Sequence, residues 1–167
     1  MTHNILVSAC LLGEAVRYDG RDNGNKVVDY QLLLEQWRRQ GRLIPFCPEV
    51  AGGLPTPRPA AEIIAGSGAD VLAGKAQVTT ISGDSCTAEF IQGARLALAI
   101  ARRENVSAAL LAARSPSCGS DGIYNGEFSG ILTAGMGVTA ALLEQHGIPC
   151  FSPERFEELE TYLSSLA

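Results

Sequence analysis

Three of the five cysteines each stand just beyond a short apolar run. Cys10 follows 4–9 (NILVSA), Cys47 follows 42–46 (RLIPF), and Cys118 lies past 107–113 (SAALLAA). Each run reads as a buried strand. If the three strands lie parallel in one sheet, their thiols gather along one edge, where open α/β sheets bind ligands at a topological switch point. The chain has no CxxC pair, which argues against a zinc ribbon and a thioredoxin-type motif. Three convergent thiolates with no fourth protein ligand point to a soft metal centre that keeps one position open. Such an arrangement suits catalysis.

The neighbours of these thiols extend the picture. In Cys47-Pro48-Glu49 the proline cannot continue a ladder, so the chain turns at once and Glu49 projects near the same edge. A carboxylate beside a metal-ligand candidate is the usual place for a general base; a solvated loop glutamate is the plainer alternative. In Ser115-Pro116-Ser117-Cys118-Gly119-Ser120, small residues let the hydroxyls of Ser115 and Ser117 reach a metal-bound sulfide or a substrate oxygen, where the plainer alternative is an ordinary turn. A short echo places Cys47: Ile44-Pro45-Phe46-Cys47-Pro48-Glu49 is similar to Ile148-Pro149-Cys150-Phe151-Ser152-Pro153-Glu154, whose Ser-Pro-Glu opens a helix just past a strand. Cys47 then lies near unpaired backbone N–H groups that favour a thiolate.

Other readings of the same residues are narrower. Cys10 taken alone could be a buried structural cysteine. Its spacing to Arg17 is one residue too long for the cysteine–arginine phosphate loop of low-molecular-weight phosphatases and arsenate reductases. Cys150 falls inside an apolar run and reads as core, and Cys86 opens a helix with no evident partner. His3 and His146 supply no convincing ligand, which weakens a zinc site.

The elements that must position these residues alternate. Strands are expected at 4–9, 42–47, 107–112 and 148–151, and helices at 29–40, 84–104, 137–146 and from Ser152-Pro153 onward. Phe90, Ala94, Leu98 and Ala101 share one face of the second helix, the stripe that packs on a sheet. Loops are expected at 10–28 and 114–136 and a Pro/Gly-rich segment at 48–60, with short β-like pieces at 61–65, 70–73 and 76–80. The fold expected is a single α/β domain: a mostly parallel, Rossmann-like open sheet with helices on both faces and a small β appendage. With 167 residues, 46 % hydrophobic and 19 % charged, the chain can bury a full core. A net charge of -5 and no basic stripe give no strong nucleic-acid signature. No run is long enough to span a bilayer, and five cysteines without a secretory signal point to the cytoplasm. Nothing in the sequence reports oligomeric state.

Taken together, Cys10-Leu11-Leu12-Gly13, Arg17-Tyr18-Asp19-Gly20, Cys47-Pro48-Glu49-Val50, Gly53-Leu54-Pro55-Thr56-Pro57-Arg58 and Ser115-Pro116-Ser117-Cys118-Gly119 resemble the bacterial thiouracil desulfurase family. The resemblance runs on through Tyr124-Asn125-Gly126-Glu127-Phe128 and Gly135-Met136-Gly137-Val138-Thr139, so it covers essentially the whole chain as one domain, 1–167. It implies a [4Fe-4S] cluster held by Cys10, Cys47 and Cys118, with one iron not ligated by protein. It implies non-redox desulfuration of thiouracil, or a related small thiolated pyrimidine, to uracil and sulfide. Glu49 is the leading base in that reaction and Asp19 its rival, with Ser115 and Ser117 positioning substrate or cluster. The competing classes are a thiol-based redox or transfer enzyme, which needs no iron, and a non-catalytic iron–sulfur sensor closed by a fourth ligand such as Cys86 or Cys150.

Overall fold

The computed structural model describes residues 3–166. In chain order the strands are β1 (Asn4–Ser8), β2 (Leu43–Phe46), β3 (Ala61–Ile64), β4 (Gln77–Thr80), β5 (Val106–Leu110), β6 (Ile123–Tyr124), β7 (Leu132–Thr133) and β8 (Cys150–Phe151). The α-helices are α1 (Gln31–Arg39), α2 (Pro48–Ala51), α3 (Gly68–Leu72), α4 (Thr87–Arg103), α5 (Val138–Gln145) and α6 (Phe156–Ser165). Four strands form a parallel sheet in the order β2-β1-β5-β8. Its two central strands are apolar without alternation, because both of their faces are covered. Ile5, Leu6 and Val7 are buried, as are Ala108, Ala109 and Leu110.

The strand order creates the switch point. From β1 the chain crosses by α1 to β2 on one side; after the appendage it crosses by α4 to β5 on the other, and by α5 to β8 beyond. Right-handed crossovers in opposite directions put α1 on one face and α4 with α5 on the other. The returning α6 joins the face of α1, where Phe156 stacks on Tyr30 at 4.0 Å and on Trp37 at 5.6 Å between ring centroids. The stripe Phe90, Ala94, Leu98 and Ala101 of α4 is buried, as its spacing predicts. A crevice therefore opens past the ends of β1 and β5, the two strands from which the connections diverge.

The β appendage is the antiparallel pair β3–β4, with Ile63 opposite Val78. One expected piece differs in type. Residues 70–73 lie in and just past the helix α3, not in a strand. Ser67 and Asp70 close a reciprocal capping box at its start, a local signal that outweighs the β-branched Val71. The 48–60 segment also contains a helix, α2, because Pro48 suits a first helical position and Cys47 takes the extended N-cap conformation. Two 3₁₀ segments, Ala9–Leu12 and Gly24–Tyr30, occupy the expected loop 10–28, and the small antiparallel pair β6–β7 lies within the expected loop 114–136.

A glycine pair docks α2 on α4. A Cβ on Gly93 would stand 2.0 Å from the Pro48 carbonyl oxygen, and one on Gly52 would stand 2.1 Å from that of Glu89. The two backbones touch only because both side chains are absent. Cys47 and Glu49 are thereby held in place from beneath. Among the described residues no helix is long and apolar enough to cross a membrane.

Candidate active site

A cavity of about 830 Å³ lies past the carboxyl ends of the parallel strands, and Cys10, Cys47 and Cys118 all line it. Cys10 sits in the 3₁₀ turn that directly continues β1, with its carbonyl accepting the Asn23 N–H at 2.7 Å. Cys47 is the N-cap of α2, immediately after β2. Cys118 comes later in its connection and is turned back by Ser115, whose Oγ accepts the N–H groups of Ser117 at 3.2 Å and Cys118 at 2.7 Å. Ser8, the last residue of β1, donates its hydroxyl to the Cys118 sulfur at 3.6 Å and accepts the Ala112 N–H at 2.9 Å.

Burial dominates the proton affinity of these thiols. It pushes Cys118 up to about 12, against the lowering effect of the Ser8 hydroxyl, and Cys10 up to about 11 with Cys47 as a further cause. Cys47 is raised by burial too, opposed by the N–H groups at the start of α2. Each negative charge would penalise the others. Three such thiols on one cavity are poorly placed to ionise alone and well placed to ionise against a bound cationic centre, which deprotonates its thiol ligands. The donor set thus fits a metal group. Among the described residues no three His, Cys, Asp or Glu side chains are gathered as a single-ion site would gather them. Thiolates sharing one tetrahedral ion stand about 3.8 Å apart, from metal–sulfur distances near 2.3 Å. A cluster that offers each thiolate its own iron accepts a wider spread.

Glu49 lines the same cavity from the first turn of α2. Its Oε1 accepts from Arg58 Nε at 3.1 Å in a pair whose side chains are 17 % and 5 % exposed, enough burial to escape most solvent screening. Arg58 also donates to the Pro55 carbonyl and the Thr56 hydroxyl, each at 3.1 Å, and to the Val16 carbonyl at 3.0 Å. One guanidinium therefore joins three segments around the cavity. Burial raises the Glu49 carboxyl above its ordinary range despite the opposing charge and hydrogen bond of Arg58.

The remaining sequence candidates are placed differently. Ser115 lines the cavity, whereas Ser117 is fully buried and shares a 3.0 Å hydrogen bond with Thr139. Its carbonyl receives the N–H groups of Thr139 and Ala140, so Ser117 ties the cysteine loop to the start of α5. Asp19 lies outside the cavity lining, with Oδ1 accepting the Arg21 N–H at 3.0 Å and Oδ2 facing Arg17 at 3.8 Å. Cys86 and Cys150 are buried elsewhere, the first against the Val78 carbonyl and the second against those of Ala140 and Ile148. Sequence reasoning passed over Ser8, hidden inside an apolar run, and Arg58, whose compact Gly- and Pro-rich approach was its only signal.

Residues 5–155 match the family model for 2-thiouracil desulfurase. The chain belongs to the 2-thiouracil desulfurase family. The match spans every element from β1 to the residues just before α6, and it bears out the resemblance carried by the cysteine motifs. Members of this desulfurase family cleave a carbon–sulfur bond, so the protein is an enzyme by membership. A Bacillus subtilis (strain 168) relative, the uncharacterized protein YbbK, is 44 % identical over 155 residues, covering 93 % of this chain and 99 % of its own. Among solved structures, a [4Fe-4S]-dependent thiouracil desulfidase, TudS, superimposes with a TM-score of 0.86 at 48 % identity, covering 98 % of this chain and 99 % of that one.

Proposed function

We propose that this protein removes the sulfur of a thiouracil, giving uracil and sulfide, with Cys10, Cys47 and Cys118 holding a [4Fe-4S] cluster that has one iron without a protein ligand. The observation that carries the reading is that three thiols, those of Cys10 and Cys118 buried and that of Cys47 half-buried, and the Glu49–Arg58 pair open into one cavity. The cluster dependence of TudS supports it. When bound, such a cluster supplies a soft, open coordination position that prefers thiocarbonyl sulfur to carbonyl oxygen.

The chain's own residues do the rest. Arg58 holds Glu49 through Oε1 and so fixes where Oε2 stands. Oε2 accepts a proton from water as the water oxygen adds at the thiocarbonyl carbon. The C–S bond then breaks and sulfur leaves with the electron pair, taking up the proton that the new hydroxyl loses as its C–O bond becomes a carbonyl. Glu49 gives its proton back to the departing sulfide or to solvent, so no net oxidation or reduction occurs. A carboxyl raised by burial is a stronger base than a solvated one, which suits this task. Ser115 accepts two backbone N–H groups, which leaves its own hydroxyl hydrogen to orient a substrate in the cavity. Asp19, held in its own turn, is the weaker choice of base.

Thiol-based transfer is disfavoured because thiols raised to about 11 and about 12 are scarce as nucleophiles at neutral pH. A closed sensor cluster lacks its fourth thiol, since Cys86 and Cys150 lie outside the cavity lining. The same reading places the enzyme in the cytoplasm, where its free cysteines persist.

Anaerobic reconstitution tests the proposal. The protein should take up iron and sulfide in equal amounts and convert 2-thiouracil to uracil with release of sulfide. Equal turnover by iron-free protein would refute the role given to the cluster.

A further inference from the structure

Glu62 of β3 lines the cavity from the appendage side, away from the cysteine-bearing strand ends. It is 8 % exposed. Among the described residues no cation pairs with it. Its hydrogen bonds come from the loop after β6: Oε1 accepts the N–H of Gly126 at 2.9 Å and of Phe128 at 3.3 Å. That loop is pressed onto β3, since a Cβ on Gly126 would stand 2.6 Å from the Ile63 carbonyl oxygen. It is also braced within itself, where Asn125 Oδ1 accepts the Glu127 N–H at 3.0 Å.

Both loop bonds fall on Oε1, and among the described residues no donor meets Oε2 of this cavity-lining side chain. Oε2 is not sealed from solvent, and a ligand that fills the cavity must offer a donor to the carboxylate oxygen it covers. Two aromatic residues line the same cavity, Tyr124 at the end of β6 and Phe128 in the loop that follows it. Aromatic faces and a fixed acceptor together are what recognises a flat heterocycle with an N–H on its edge.

We infer that Glu62 is a specificity-determining residue that reads the pyrimidine, with Oε2 accepting the N3–H of a thiouracil. This rests on the desulfurase reading above and deepens it. A thiocytosine has no hydrogen on N3 and sets a lone pair against the carboxylate, so the site rejects it. A glutamine at this position would keep both loop bonds on its amide oxygen and turn its NH₂ toward the cavity, replacing an acceptor by a donor.

The test compares 2-thiouracil with 2-thiocytosine on reconstituted wild type and Glu62→Gln. Wild type should favour 2-thiouracil in kcat/KM by roughly 100-fold or more, the scale expected when a polar site meets an analogue lacking its hydrogen. Glu62→Gln should reduce that preference to about threefold or invert it, with cluster absorbance and thermal unfolding retained. Equal turnover of both bases by wild type, or an unchanged preference in Glu62→Gln, overturns the inference. Calorimetric binding of uracil and cytosine reads the same preference without chemistry. A wild-type preference for uracil that Glu62→Gln abolishes supports the role of Glu62 even if neither thiobase is desulfurated, in which case the desulfurase reading alone falls. Absence of a wild-type preference for uracil overturns it, even where thiouracil is turned over and the desulfurase reading stands. Should Glu62→Gln not fold, the wild-type preferences decide.

Discussion

The hydroxyl of Ser8 donates to the Cys118 sulfur at 3.6 Å while accepting the Ala112 N–H at 2.9 Å, and so links the ends of the two central strands through one atom. This bond is the one influence that makes the Cys118 thiol easier to ionise, against a large opposing effect of burial. Ser8→Ala should therefore weaken cluster retention without removing a ligand. It also leaves the Ala112 N–H without its acceptor, at a cost of about 1–3 kcal/mol. The expected result is faster cluster loss under a chelator and a lower anaerobic unfolding midpoint; retention equal to wild type would show the bond to be incidental.

The cysteines should divide by position. Cys→Ser at Cys10, Cys47 or Cys118 should abolish both cluster absorbance and desulfuration, because a hydroxyl is a hard and poor substitute for a thiolate. Cys150→Ser should keep the cluster and lower stability by about 1–2 kcal/mol, since Cys150 is 2 % exposed in the apolar core and its sulfur is off the cavity. Iron analysis of the purified variants separates the groups.

Much of this site was legible because its signals are local. A thiol at the end of an apolar run, a proline after Cys47 and small residues around Cys118 each record a backbone constraint, and the parallel strands bring them together. What could not be read depends on partners distant in sequence. Ser8 looks like one more residue of a buried strand, and only the fold brings it to Cys118. Glu62 looks like a charge in a short edge strand until the loop at 126–128 covers it. The reverse error occurred at 70–73, where Val71 and Leu72 read as strand while Ser67 and Asp70 already closed a helix cap.

Glu49 and Arg58 call for separate variants. Glu49→Gln should leave cluster absorbance intact and lower kcat by roughly 100-fold or more, the usual scale for losing a general base. Arg58→Lys cannot reproduce a planar fork that joins Glu49, Thr56 and the carbonyls of Pro55 and Val16. Losing these hydrogen bonds should cost about 1–3 kcal/mol in anaerobic denaturant unfolding, besides lowering kcat. Full turnover by Glu49→Gln with an intact cluster would send the search for a base elsewhere in the cavity.

The crossing of α2 over α4 gives a variant far from every reacting atom. Gly93→Ala would place a methyl group 2.0 Å from the Pro48 carbonyl oxygen, and both are backbone-fixed, so neither can yield by changing rotamer. Overpacking of this kind costs about 1–3 kcal/mol and moves backbone as well. The backbone that must move is α2, which has Cys47 as its N-cap and Glu49 in its first turn. Gly93→Ala should thus lower stability and, in the fraction that folds, weaken cluster retention and kcat together. Ala94→Gly, its neighbour on α4, introduces no bulk and should lower stability while sparing turnover per bound cluster. Measuring iron content, turnover per iron and unfolding midpoint on both variants checks whether α2 is positioned by this contact; Gly93→Ala with wild-type turnover per iron would show that it is not.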